Sequence, residues 1–265
     1  MSAWGNDSLI STLMGHQESY KNNENYAQFL SGWDIGFYAK YADTLAPAKS
    51  GGLVLDVGCG VGQVVGRLHQ QGFQVYGVDV SEPNIDRAKK VCPNCQVYNG
   101  KLLPFKDSFF ESVGAFNVLE HVEEPEAFIQ ELVRVCQSGG KVIISSPNFF
   151  RVFGFRDYHP RMRGLGNKWK NWCRLRQKCG EIRQSPQTVR FDKMPAIIRE
   201  PFSPDDDAIV ATNGLEMKFF LEKYGCKVKS VSCTDRYVPK IADWIFNATP
   251  LRYLVFNAFV VAEKL

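Results

Sequence analysis

Residues 55–63 read Leu-Asp-Val-Gly-Cys-Gly-Val-Gly-Gln and complete a short apolar run that opens at Leu53. Glycines at 58, 60 and 62 let the backbone turn sharply and approach a ligand with no Cβ in between. The helix predicted to follow, VVGRLHQQG, aims its N-terminus at that ligand and favours an anionic group there. A second predicted strand, QVYGVDV, ends near Asp79, 19 residues after Gly60. A carboxylate at that distance suits the hydroxyls of a ribose; its alternative role is a helix cap ahead of Ser81-Glu82-Pro83. Asp56 stands where a dinucleotide fold has an apolar residue, and Gln63 stands where that fingerprint has its last glycine or alanine. Four histidines add groups able to accept a proton: His16 in the polar start, His69 within a helix, His121 just past a predicted strand and His159 in Arg-Asp-Tyr-His-Pro.

The elements that must position these residues alternate. LVLDV, QVYGVDV, QVY, ESVGAFNVL and KVIISS read as strands apolar on both faces, and helical patterns separate them. That pattern predicts a parallel sheet covered on both sides. In EAFIQELVRVCQSGG the apolar stripe Phe128, Ile129, Leu132, Val133 and Cys136 predicts a helix ended by Gly139-Gly140. Tyr26 to Leu45 carries aromatics at spacings of three and four, a helix broken near Gly32 or Gly36, either packed on the core or lying over a cleft. TNGLEMKFFLEKYG reads as a helix capped by Thr212 or Asn213 and ended by Gly225. Two last strands, CKVKSVSCTD and YLVFNAFVVAEK, flank a short helix within PKIADWIFNATP.

The chain has 265 residues, 45% hydrophobic and 23% charged, which suits a folded α/β domain and excludes wholesale disorder. Its net charge of +4 is unevenly spread: residues 151–200 hold 13 Lys/Arg against 4 Asp/Glu. This basic, aromatic stretch breaks the strand–helix rhythm and reads as an insertion. It is expected to attract an anionic small molecule or glycan, with a membrane surface next and nucleic acid last; the plain alternative is a solvated lid helix. The start MSAWGNDSLI lacks a basic leader pattern, and no apolar run is long enough for a membrane span. A cytoplasmic location with reduced thiols is expected for the eight cysteines. Cys92 and Cys95 form one CxxC without a second pair at zinc spacing. The acidic run Asp205-Asp206-Asp207 reads as a helix start or a partner for the basic insertion. Adjacent carboxylates on one turn diverge, so no metal site is expected.

The glycine turn, Asp79 and the segment LLPFKDSFFESVGAFNVLEHVEEPEAFIQELVRVCQSGGKVIISSPN together resemble the class I S-adenosylmethionine (SAM) methyltransferases. The likeness is close over residues 53–147 and loose over the last helix and strands. It implies a Rossmann-like, doubly wound, seven-stranded sheet, parallel but for one antiparallel edge strand. Around this core, the expected organisation is a helical cap at 1–50, a SAM-binding core at 51–147, an acceptor-pocket insertion at 148–211 and the rest of the core at 212–265. The resemblance implies SAM as cofactor, with Gly58, Cys59, Gly60 and Gly62 along its methionine part. Asp56 would orient the loop near the amino group, Asp79 would take the ribose and Val80 would pack on the adenine. Asn99, Gly100 and Lys101 stand where the family has Asp-Ala-Glu beside the adenine amino group, and Asn117 and Val118 end a strand beside the sulfonium. The activity expected is methyl transfer to a small-molecule or sugar acceptor, at oxygen. Nitrogen or carbon of a natural product or lipid-linked acceptor is the alternative. A hydroxyl acceptor calls for a general base. His159 is the first candidate, because loops after strand ends build the sites of doubly wound folds; His121 is the second. Other classes are a nicotinamide-dependent oxidoreductase, which the GxGxG spacing disfavours, and a non-catalytic SAM-binding protein. No obligate protein partner is evident in the sequence.

Overall fold

A computed structural model describes residues 20–49, 51–154, 157, 159–197 and 205–265. His16, Tyr158 and residues 202–204 ahead of the acidic run lie outside these. Helix α1 (Glu24–Ser31) is capped by Asn23, whose side chain accepts from the Tyr26 N–H at 2.9 Å. It ends at Gly32, and a 3-10 turn at Ile35–Tyr38 containing Gly36 leads into α2 (Ala39–Leu45). The aromatic stripe is therefore broken at both glycines.

The sheet strands are β1 (Leu53–Val57), β2 (Gln74–Asp79), β3 (Cys95–Val97), β4 (Phe110–Phe116) and β5 (Cys136–Pro147), joined later by β8 (Cys226–Ser232) and β9 (Asn257–Lys264). Their order is β3-β2-β1-β4-β5-β9-β8. Strands β3 to β5 pair in parallel, and β9 runs antiparallel to both neighbours. The seven-stranded doubly wound sheet is thus present, and its single antiparallel strand lies one place in from the rim, with β8 outside it. The chain steps outward from β1 in one direction and then returns to β4. The crevice between the ends of these two strands is where such sheets bind ligands.

Successive side chains of the central strands serve opposite faces. Leu55 and Val113 pack with Leu132 and Phe220 on one side, whereas Val54 and Ile143 pack with Tyr41, Leu68 and Ile85 on the other. Helices α3 (Gln63–Gln70) and α4 (Glu82–Ala88) cover the second face with α2; α5 (Pro125–Val135) covers the first. Helix α5 stops short of the glycine pair. Its final carbonyls, of Arg134 and Val135, accept from the N–H groups of Ser108 and Phe109 at 2.9 and 2.8 Å. Cys136 already pairs with Phe110 in the sheet. Strand pairing takes the residues that the helical spacing assigned to the helix.

The basic stretch forms α6 (Leu165–Gln184), followed by a small hairpin of β6 (Asp192–Lys193) and β7 (Val210–Ala211). Helix α6 turns Asn171, Leu175 and Lys178 inward. Much of its charge is spent within the molecule. Arg174 pairs with Asp192, Lys168 with Asp157 at 2.8 Å, and Lys178 with Glu216 at 2.7 Å and Asp192 at 3.0 Å. Glu216 lies in α7 (Gly214–Lys223), which Asn213 caps through the N–H groups of Leu215 and Glu216. The last helix, α8 (Lys240–Asn247), falls within PKIADWIFNATP as expected. Among the described residues, no helix is long and apolar enough to cross a membrane.

Candidate functional site

Where β1 ends, the chain turns through three glycines of positive φ, at 58, 60 and 62. Two of them are required by close approach. A Cβ on Gly58 would lie 2.3 Å from Cγ2 of Val118, and one on Gly62 would lie 2.8 Å from the Cα of Ala88 in α4. The N–H groups of Gly58 and Cys59 donate to the Val78 carbonyl at 2.7 and 3.1 Å, clamping the turn to β2. Asp79 holds it from the other side. One carboxylate oxygen accepts from the Gly60 N–H at 2.9 Å; the other accepts from the Ser81 N–H at 2.9 Å and from Asn84 Nδ2 at 3.3 Å. Burial raises the Asp79 carboxyl above its ordinary range, against the opposing pull of these donors. The helix cap considered for Asp79 falls to Ser81, whose hydroxyl accepts from the Asn84 N–H.

Asp56 is 3% exposed and accepts from the Tyr41 hydroxyl at 2.6 Å. Burial pushes its carboxyl up to about 7, although that hydrogen bond pulls the other way. A cationic ligand group brought beside Asp56 favours the ionised form. If the cofactor's amino group binds there, uptake releases a proton near neutrality, so affinity should fall as pH drops below about 7. Calorimetry in buffers of differing ionisation heat measures that proton release directly; a pH-independent affinity from 5.5 to 8 would refute it, the pH range being chosen to span about one to two units around the transition.

These residues line a cavity of about 420 Å³, within the range of small-molecule sites. Gly58, Cys59, Gly60, Asp56, Asp79, Val80, Asn117, Val118 and His121 all reach it. Gly62 supports the turn from behind. Opposite stands an aromatic wall from the N-terminal segment, where Tyr26, Phe29, Trp33 and Phe37 are linked by ring contacts, the tightest being Trp33–Phe37 at 4.5 Å between centroids. Helix α1 buries only Ala27 fully, and Gln63 at the start of α3 holds it by donating to the Leu30 carbonyl at 2.7 Å. The segment therefore both packs on the core and covers the cleft. The guanidinium lining the cavity is that of Arg236, 4.3 Å from the Phe37 ring centroid; it comes from outside the basic insertion.

Two groups of sequence candidates lie elsewhere. Asn99 is exposed, and its side-chain oxygen accepts from the N–H groups of Lys101 and Leu102 at 2.9 and 3.0 Å. It thus caps its own turn; Asn99, Gly100 and Lys101 stand outside the cavity lining, where Tyr98 is the residue present. His159 is 1% exposed, packs edge-on against Phe149 at 5.0 Å and accepts from the Arg161 N–H through Nδ1 at 3.2 Å. It sits beside the insertion's own core, and the residues lining the cleft do not include it. We expect His159→Ala to lower thermal stability and leave the rate of methyl transfer per folded molecule unchanged; slowed transfer at unchanged stability and cofactor affinity would support His159 as the base.

His121 is the candidate histidine that faces the cleft. It ends a 3-10 turn, Leu119–His121, after β4. Nδ1 lies 3.4 Å from the Tyr20 hydroxyl and 3.8 Å from Asp207 Oδ1; Nε2 lies 3.9 Å from Glu120 Oε1. Tyr20 also donates to Asp207. The flanking carboxylates raise the His121 imidazole's pKa despite the opposing effect of burial, and burial raises the Glu120 carboxyl's. Asp205-Asp206-Asp207 forms a turn instead of a helix start, and the hairpin returns it to this site: the Ile209 N–H donates to the Glu120 carbonyl at 2.8 Å. Sequence reasoning had no means of joining Tyr20, Glu120, Asp205 and Arg236, because only tertiary folding brings them together.

Residues 55–144 match the family model described as a methyltransferase domain. Norajmaline N-methyltransferase of Rauvolfia serpentina is 31% identical over 109 residues, 38% of this chain and 37% of that protein. Ubiquinone biosynthesis O-methyltransferase of Idiomarina loihiensis is 29% identical over 125 residues, 43% and 48%. The chain thus matches less than half the length of these curated relatives. An S-adenosylmethionine-dependent methyltransferase from Mesorhizobium loti superposes with a TM-score of 0.58 at 15% identity, over 89% of this chain and 100% of that one. Residues 55–144 thus resemble a methyltransferase domain, and the chain has the fold of that SAM-dependent methyltransferase.

Proposed function

We propose that this protein transfers the methyl group of SAM to the oxygen of a small-molecule acceptor. The carrying observation is the cradle at 58–62. Only glycine fits at 58 against Val118, Asp79 braces the turn, and the buried Asn117 Oδ1, without a hydrogen-bond partner, lines the same cavity. These features fit the cofactor. Asp79 would take its ribose, Asp56 would stand near its amino group, and Val80 and Tyr98 would flank its base. Bound SAM supplies a methyl group on a positively charged sulfur, a built-in leaving group. The chain's part is then to align the acceptor and keep water out. The aromatic wall excludes water, and Asn117 and His121 at the end of β4 face the acceptor.

A hydroxyl acceptor needs a group to hold its oxygen or take its proton, and an amine that binds unprotonated needs less. The gathering of Glu120, His121 and Asp205 at this end of the cleft favours oxygen. Arg236 would serve an anionic acceptor better than the basic helix α6, much of whose charge is already paired. The test is incubation with methyl-labelled SAM and matched hydroxyl, amine and carbon-acid acceptors, followed by mass spectrometry. Label on oxygen is expected. Label confined to nitrogen or carbon would overturn the choice of atom, and no label on any class by protein that binds SAM would overturn transfer itself.

A further inference from the structure

Beside the cofactor cradle, two distant parts of the chain bring together three side chains of ligating type. Glu120 and His121 come from the turn after β4, and Asp205 comes from the turn preceding β7. One ligand atom of each lies within 4.8 Å of the other two. Glu120 is fully buried. Its Oε2 accepts from the Ser146 hydroxyl at 2.7 Å, and Ser146 is held in turn by Thr212 at 2.7 Å. Its Oε1 has no hydrogen-bond partner and is directed toward Nε2 of His121, 3.9 Å away. Water-free burial of an unpaired carboxylate oxygen is costly, and such groups are usually satisfied by a partner or an ion. The opposite face of the imidazole, Nδ1, is flanked by Tyr20 and Asp207. A carboxylate behind one ring nitrogen orients the other toward a metal.

We propose that Glu120, His121 and Asp205 bind a divalent cation of the Mn²⁺ or Mg²⁺ class and that the acceptor's hydroxyl oxygen joins its coordination. Two carboxylates favour these oxygen-seeking ions, and the imidazole favours Mn²⁺ over Mg²⁺. Three protein ligands leave positions open for water and an acceptor. No such expectation arises from the chain order, because the neighbouring Asp205, Asp206 and Asp207 do diverge. Asp205 joins residues far from it in the chain, Asp206 is buried and Asp207 stands behind the histidine. The ion would hold the hydroxyl and make it more acidic, the requirement that an oxygen acceptor imposes. This second role rests on the methyl-transfer reading; ion binding does not.

The probe is Mn²⁺ alone, titrated into the full chain and followed by the electron paramagnetic resonance of the free ion. One site is expected, displaced by Mg²⁺ at higher concentration. Asp205→Asn and Glu120→Gln should each weaken it about tenfold or more while both variants still bind S-adenosylhomocysteine. Asp205 is half-buried, so its variant guards against a folding defect at the fully buried Glu120. Protein that binds S-adenosylhomocysteine but takes up no Mn²⁺, or variants that bind Mn²⁺ as the parent does, would overturn the site. Mn²⁺ uptake without S-adenosylhomocysteine binding would support the ion site and refute the cofactor reading instead.

Discussion

Asp79→Ala should weaken SAM binding about a hundredfold or more, equivalent to ~3 kcal/mol from two lost charge-assisted hydrogen bonds. The carboxylate has two duties. It holds the Gly60 and Ser81 N–H groups, and it would accept from the ribose hydroxyls. Alanine removes both, so the turn loosens as the ribose loses its partner. Asp79→Asn should fall between, since its one carbonyl oxygen still accepts while its NH₂ faces donors. Titration calorimetry with SAM on folded material measures both. Equal affinity in Asp79→Ala and the parent would mean that Asp79 serves only as a brace.

Lys178→Met should cost about 3–5 kcal/mol of folding stability, the usual penalty for leaving one partner of a buried ion pair alone. Lys178 is 1% exposed and meets Glu216, itself fully buried, at 2.7 Å, with Asp192 at 3.0 Å. Burial already raises the Glu216 carboxyl to about 7, and Lys178 is the strongest opposing influence. Without it the carboxyl rises further. A carboxyl raised on folding destabilises the folded state when ionised, and that cost is relieved as pH falls through its folded pKa. The deficit of Lys178→Met should therefore be largest at alkaline pH and shrink as pH falls to about 7, where the parent's own Glu216 carboxyl takes up its proton. Adding Glu216→Gln should recover part of it. Urea unfolding of the parent, both single variants and the double variant gives the coupling energy. A deficit independent of pH would show that lost packing of the lysine stem, not the stranded carboxylate, dominates.

Local rules made much of the sheet and the cofactor cradle legible. The glycine spacing, the acid ending β2 and the double-sided apolar strands are short-range patterns with direct physical meanings. The end of α5 was misjudged because helical spacing continues into Cys136, and only the partner strand decides that Cys136 pairs there. His159 is a related case. Its position after a strand end suits a site, and nothing local reveals that Phe149 and the insertion bury it. The basic stretch likewise looked like a surface for anions. The carboxylates that absorb Lys168, Arg174 and Lys178 lie up to 38 residues away, at Asp157, Asp192 and Glu216. The contact between Glu120 and the 205–207 turn depends on a hairpin whose strands are two residues each, too short to leave a pattern in sequence.

Binding of the adenosyl group at the 58–62 turn and Asp79 is the foundation of the functional account. Calorimetric titration of the well-folded chain with S-adenosylhomocysteine tests it most directly. Saturable heat at one site per chain is expected, sharply reduced in Asp79→Ala. A flat titration of natively folded protein, repeated with SAM itself, would contradict it.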